Sequence, residues 1–241
     1  MIDTMVRSVA LLVLGLAVCL ALGVQSAMAG AWAREESTFF VSLSYNWPID
    51  SETAEEGTVS AYVEYGLPWR LTAGANLDQR PVGPHSLEIF LRRNFNAPDA
   101  VWQVAAEVGY EMALDAEIDE LSGRIRYLTE PGQPALALHL GRGFDSRFGS
   151  GWIDMRFGAN LPTAEDDLLG EIDATLGLNL SGRVFTTVEL WHDYDSEGSF
   201  TSLVPGLGVR VTDRIAGTLR YIHETNGDAV DSVEIGTWVE F

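Results

Sequence analysis

Charged side chains recur along this 241-residue chain in a pattern that restricts what they can do. Glu64, Arg70, Glu88, Arg92, Glu107, Asp154, Arg156, Asp173, Glu189, Arg210, Arg220 and Glu234 are almost all flanked by apolar neighbours, so each sits on the polar side of an alternating stretch. Carboxylates and guanidiniums presented in this way can sort solutes by charge, or pair with one another across an interior. A second group is clustered: Asp50, Glu52, Glu55 and Glu56; Asp115, Glu117, Asp119 and Glu120; Glu165, Asp166 and Asp167; Asp193, Asp195 and Glu197. Hard oxygen ligands grouped like this can hold calcium or magnesium and bridge phosphates, or simply solvate a loop. His85, His139, His192 and His223 are dispersed, without the spacing of a metal centre. Gly141-Arg142-Gly143 has no helical pattern after it and is not read as a phosphate loop. No cofactor is expected.

The elements that must position these residues are strands. From Thr38 onward apolar and polar residues alternate with period two in segments of about ten residues, the length a tilted membrane strand needs. Phe39, Val41, Leu43, Tyr45 and Trp47 oppose Ser42, Ser44 and Asn46; Ile172, Ala174, Leu176, Leu178 and Leu180 oppose Glu171, Asp173 and Asn179. The pattern predicts strands at 38–47, 57–67, 69–78, 85–94, 101–112, 134–143, 151–161, 170–180, 182–192, 201–211, 214–223 and 231–241. A further alternation at 121–128 is read as part of one long exterior excursion over 113–133, because an even strand number satisfies closure with both termini on one side. Pro205 interrupts its strand, since it cannot donate to the ladder.

A secreted sandwich would alternate too, with its apolar face inward. Three features favour a membrane wall instead. The segments are nearly twice the usual sandwich strand. The apolar face is almost free of charge, its exceptions Arg93, Arg142 and His192 lying near strand ends where they can snorkel. Tyr45, Trp47, Tyr65, Trp69, Trp102, Tyr110 and Tyr221 gather toward the ends as an interfacial belt would. The expected fold is all-β: a closed antiparallel transmembrane β-barrel of about twelve strands, with short periplasmic turns and longer acidic extracellular loops.

The chain opens with Arg7, an apolar run from Val9 to Val24 and Ala27-Met28-Ala29, the pattern of a secretory leader cut after Ala29. Residues 30–241 would then be the barrel. Leu16-Ala17-Val18-Cys19 is similar to a lipoprotein box, but Val18 is the wrong size beside the cysteine. Loss of the leader removes Cys19, the only cysteine, and with it any disulfide or thiolate chemistry. The net charge of −20, in which every basic residue is arginine, excludes a nucleic-acid partner.

The last residues, Val233-Glu234-Ile235-Gly236-Thr237-Trp238-Val239-Glu240-Phe241, resemble the C-terminal strand of bacterial outer-membrane proteins, which ends in phenylalanine. Val239 stands where an aromatic is commoner, and Trp238 is displaced by one. The resemblance implies a porin-like β-barrel superfamily, residence in the outer membrane among lipid and lipopolysaccharide, and Phe241 as a signal read by the barrel-assembly machinery. His223-Glu224-Thr225-Asn226-Gly227 is similar to the His-x-Ser-Asn-Gly motif of outer-membrane phospholipase A, also a twelve-stranded barrel. That likeness implies Thr225 as nucleophile, His223 as base and Asp231 as orienter. The serine is nevertheless threonine, the preceding glycine is Arg220, and a rim histidine leading into an Asn-Gly turn accounts for the same residues. Asp193-Tyr194-Asp195-Ser196-Glu197-Gly198 resembles the opening of a calcium loop whose closing glutamate is replaced by Val204.

The twelve charged strand residues are therefore expected to line a pore. A passive or weakly selective channel for small hydrophilic solutes, slightly favouring cations, is the leading reading. A non-conducting structural or surface-interaction barrel with cation-binding loops is the alternative, and a rim lipid hydrolase the third. In an occluded interior, the alternative to an open passage, these charges would pair across the barrel and hold its wall rigid, with Trp152, Trp191, Trp238, Phe90 and Phe185 narrowing what remains.

Overall fold

The computed structural model describes residues 30–49, 57–79, 85–119, 124–129, 132–163, 168–225 and 231–241, with only the backbone described over 115–119 and 124–129. The expected leader, and the acidic residues Asp50, Glu52, Glu55, Glu56, Glu120, Glu165, Asp166 and Asp167, lie outside the described residues.

The strands are β1 Phe39–Pro48, β2 Thr58–Leu67, β3 Leu71–Gln79, β4 His85–Asn94, β5 Gln103–Asp119, β6 Arg124–Thr129, β7 Gln133–Ser146, β8 Gly149–Asn160, β9 Leu169–Asn179, β10 Val184–Tyr194, β11 Ser199–Arg210, β12 Ile215–Glu224 and β13 Ser232–Glu240. Neighbours run antiparallel, and β13 returns to β1 in the register Phe40↔Glu240 through Pro48↔Ser232. Twelve strands thus close a wall with no free edge, which satisfies backbone hydrogen bonding in hydrocarbon. Among the described residues no helix is long and apolar enough to cross a membrane.

The remaining strand is β6. It pairs with the far part of β5, from Leu114↔Thr129 to Asp119↔Arg124, while β7 takes over the same side of β5 from Glu111↔Gln133. The alternation at 121–128 is thus partly realised as a short strand that prolongs β5 beyond the closed wall and does not span it. The short connections 68–70, 147–148, 180–183 and 211–214 lie at the end that carries the start of β1 and the end of β13, which is the periplasmic end in barrels of this kind. Pro205 leaves the expected mark. The β11–β12 ladder lacks the two pairs between Leu203↔His223 and Gly206↔Arg220, with no change of register, whereas Pro205 still pairs with Val188 on the other side.

Orientation of the alternation follows from exposure. Ile89, Leu136, Leu176, Val188, Leu190, Leu219 and Ile235 face outward and exposed, while Glu64, Arg92, Glu107, Asp154 and Glu234 are buried inside. This inverts the arrangement of a soluble domain and suits a wall in lipid. Trp47, Trp69, Trp102, Tyr110 and Tyr221 are exposed toward the strand ends, with the Arg142 guanidinium 5.4 Å above the Trp102 ring and that of Arg147 4.5 Å above Phe148. Val188 stands in mid-strand on this lipid face. Val188→Arg is expected to cost about 2–4 kcal/mol in urea titrations of the barrel folded into vesicles; a loss below about 0.5 kcal/mol would contradict the outward assignment.

Candidate functional site

The lumen is not empty at its periplasmic end, because the residues before β1 fold back into it. At the rim the chain reverses through Glu35–Thr38, where Ser37 has φ 67°, the Ser37 amide donates to the Gly66 carbonyl at 2.9 Å, and the Thr38 amide donates to the Glu35 carbonyl at 3.1 Å. Gly66 is needed there, since a Cβ on it would lie 1.9 Å from the Glu35 carbonyl oxygen. Inward from this turn, the Arg34 amide donates to Thr72 Oγ1 at 3.2 Å, and its guanidinium pairs with Glu64 on β2 and, at 2.7 Å, with Glu240 on β13. Trp32 lies against Gly141 on β7, where a Cβ would meet its ring at 2.6 Å. That contact explains the glycine of the Gly-Arg-Gly run. Asn94 on β4 donates to the Ala31 carbonyl at 2.6 Å, Arg92 donates to the Gly30 carbonyl at 2.8 Å, and the Ala31 amide donates to Asp154 on β8 at 3.0 Å. Residues 30–34 therefore touch strands from β13 round to β8 and cross the interior as a strap.

Around the strap the wall charges are paired. Arg92 lies between Glu64 at 2.9 Å and Glu107 at 2.8 Å, and also donates to the Tyr62 hydroxyl at 3.1 Å. His139 turns inward and places Nε2 3.4 Å from Glu107. Gln103 accepts from Asn94 at 3.1 Å and donates to the Ala97 carbonyl at 2.9 Å. Glu64, Arg92, Glu107, His139 and Gln103 are all buried, so this half of the lumen is packed rather than wet. Nearer the exterior, Arg156 serves Glu171, Asp173 at 3.5 Å, Glu107 at 3.8 Å and Glu88 at 4.0 Å. On the opposite wall Arg220 joins Glu234 at 2.5 Å to Glu189 at 3.1 Å. Arg210 donates to Asn179 at 2.9 Å and lies 4.9 Å above the Phe185 ring.

Arg70 is the exception among the sequence-predicted lining residues. It occupies the 3-10 turn Pro68–Arg70 with φ 59°, is exposed at the rim, and donates to the Asn96 carbonyl. Pro68 ends β2 before the alternation reaches Arg70, so the period carried through a turn gave the wrong face. The remaining charged residues of that set project to the interior.

An aromatic layer joins the packed half to the open one. Phe185 stacks on Trp238 at 5.1 Å, Tyr62 on Phe90 at 5.9 Å, and Phe40 meets Trp238 at 6.2 Å. Phe90, Trp152 and Phe185 each place the ring where a Cβ on the cross-strand glycine, Gly74, Gly177 or Gly208, would stand, so the glycine leaves room for the ring against the wall. Beyond this layer a cavity of about 720 Å³ is bounded by Ser42, Ser44, Asn46, Ser60, Asn76, Asp78, Trp191, Asp193 and Arg220, with Gly30 and Arg34 at its base.

At the exterior rim, His223 Nδ1 lies 2.8 Å from Asp231, which also accepts from the Tyr221 hydroxyl. These two hydrogen bonds, the tyrosine's first, hold the Asp231 carboxyl below the usual carboxylate range. Thr225 donates its hydroxyl to the Thr201 carbonyl at 3.0 Å. The orienting contact of a hydrolytic trio is thus present, while the hydroxyl proton is committed to a backbone oxygen. Asp195 accepts the Glu197 and Gly198 amides at 2.7 and 2.9 Å, closing the β10–β11 connection as a tight turn. Phe241 stacks on Phe39 at 5.6 Å and exchanges backbone hydrogen bonds with it, locking the seam where the barrel closes.

No known family model and no characterised protein matches this sequence. Solved structures share its fold. The chain superposes on the KdgM porin in complex with disordered oligogalacturonate with a TM-score of 0.60 at 5% identity, covering 84% of this chain and 99% of that one. For the NanC porin the TM-score is 0.61 at 9% identity, over 83% and 98%. The chain has the fold of the outer-membrane porins. The outer membrane protein Omp33 of Acinetobacter baumannii matches at a TM-score of 0.50 and 9% identity, over 86% and 99%. A porin-like barrel with this lipid-facing belt resides in the outer membrane.

Sequence alternation did not disclose the strap, Tyr62 as a bridge between Glu64 and Arg92, or the inward His139. Arg34 is the one signal for the strap, a lone cation just ahead of the first periodic segment. Removing the guanidinium at the centre leaves two buried carboxylates short of a partner. Arg92→Met is expected to lower the stability of the detergent-solubilised barrel by about 3 kcal/mol in urea titration, whereas Arg70→Ala should change it by less than about 0.5 kcal/mol. Equal effects would refute the separate placements.

Proposed function

We propose that this barrel is an outer-membrane passage for small hydrophilic solutes, wide and acidic toward the exterior and constricted by its own N-terminal strap toward the periplasm. The observation that carries this reading is the cavity of about 720 Å³ inside a closed wall, lined by hydroxyl, amide and carboxylate groups. Its charge supports a preference. Arg34, Arg92, Arg156 and Arg220 each share two or more carboxylates, whereas Asp78 and Asp193 face the cavity with no guanidinium within 4 Å among the described residues. An interior with surplus carboxylates attracts cations, admits neutral solutes and repels anions. The KdgM porin was solved with an oligogalacturonate; the acidic cavity here fits a cation or an uncharged solute better.

In this reading residues 1–29 direct export, the C-terminal strand ending in Phe241 serves barrel assembly, and lipid and lipopolysaccharide surround the wall. No reaction is assigned to the chain. A second reading, a non-conducting structural barrel, is favoured by the packing around the strap. Planar-bilayer recording separates the two. The purified barrel is expected to pass small currents whose reversal potential in a KCl gradient has the sign of cation preference. Asp78→Asn combined with Asp193→Asn should reduce the permeability ratio roughly twofold. A variant lacking Ala31–Arg34 should conduct more than the intact chain. Silence from both the intact and shortened barrels would leave the structural reading standing. For the rim, His223→Ala is expected to leave lipid release at the wild-type background; a drop would restore the hydrolase.

A further inference from the structure

Asp154 is the buried carboxylate that the ion-pair network leaves out. It is 9% exposed, and among the described residues no arginine lies within 4 Å of it. Oδ1 accepts the Ala31 amide, and Oδ2 faces Gly30, where a Cβ would lie only 2.4 Å away. The Gly30 nitrogen is on the same Cα, about 2.5 Å from that Cβ position, and so no more than about 5 Å from Oδ2. His139 Nδ1, buried and without a hydrogen-bond partner, is 3.1 Å from the same point. Gly30 has φ +42°, so both the space and the backbone at this point suit glycine. A buried carboxylate without a counter-charge is costly, and this one has the tip of the strap against it.

We propose that export cleavage after Ala29 leaves Gly30 as the N-terminus inside the lumen, and that its α-ammonium is the counter-charge of Asp154. In the cleavage, water adds across the Ala29–Gly30 amide, leaving a carboxylate on the departing leader and a protonated amine on Gly30. Ala27-Met28-Ala29 supplies the small residues that a leader peptidase needs. An apolar leader still attached at Gly30 would have to run through a polar, packed interior, which disfavours its retention. The strap is then fixed at both ends by charge: at the rim by Arg34 with Glu64 and Glu240, and at its tip by the new ammonium with Asp154.

The absence of lysine makes this directly testable, because the α-amine is the sole primary amine of the processed chain. Intact mass should give a chain beginning at Gly30. Reductive methylation of the folded, detergent-solubilised barrel with formaldehyde and cyanoborohydride is expected to proceed at least about tenfold more slowly than in the urea-unfolded chain, as for a sequestered ion pair. Asp154→Asn should bring the folded rate close to the unfolded one. Should Asp154→Asn not fold, Gly30→Ala, which drives a methyl into the carboxylate, is expected to do the same. A different N-terminus, equal rates in folded and unfolded wild-type chain, or folded variants as slow as wild type would each overturn the proposal. Labelling reads the amine whether or not the barrel conducts, so failure here is separate from failure of the pore.

Discussion

Closing a sheet on itself in lipid obliges its polar side chains to point inward, and there each charge cut off from water must find its opposite. Arg92 meets that constraint most fully: one guanidinium joins Glu64, Glu107, Tyr62 and the Gly30 carbonyl. Desolvated charges at such distances interact far more strongly than in water, but only while all partners stay in place. The strap, the aromatic layer and the wall of β2, β4 and β5 are therefore coupled through a single side chain.

The two halves of the lumen differ in kind as a result. On the periplasmic side four main-chain groups of residues 30–34 are hydrogen-bonded to the wall, through Asn94, Arg92, Asp154 and Thr72. On the exterior side the same wall carries Ser42, Ser60, Asn76 and Asp78 around open volume. Phe40, Phe185 and Trp238 mark the boundary, where apolar rings separate the packed half from the open one.

Strand positions, the inside-out orientation and the closure were legible in the sequence because period two and segment length depend on nearest-neighbour geometry alone. The inward set from Glu64 to Glu234 was legible for the same reason. Arg70 was misread because a proline turn ends the period, and residues 30–34 were silent because a strap held by side chains has no period at all. Tyr62 carried the polar-face parity but not its role, since bridging Glu64 to Arg92 depends on which strands lie side by side. The β6 strand showed in its alternation, yet its place beyond the wall depends on β5 changing partners at Leu114.

Pro205 has a mechanical consequence. Between Leu203 and Gly206 the ladder to β12 is unlaced, while the β10 side of the same strand stays fully registered. Over Val204 and Pro205 the wall is laced on the β10 side alone, so local opening costs least along the β11–β12 line. Arg220, whose pairing with Gly206 is the first after the gap, carries any such distortion directly to Glu189 and Glu234 in the cavity wall.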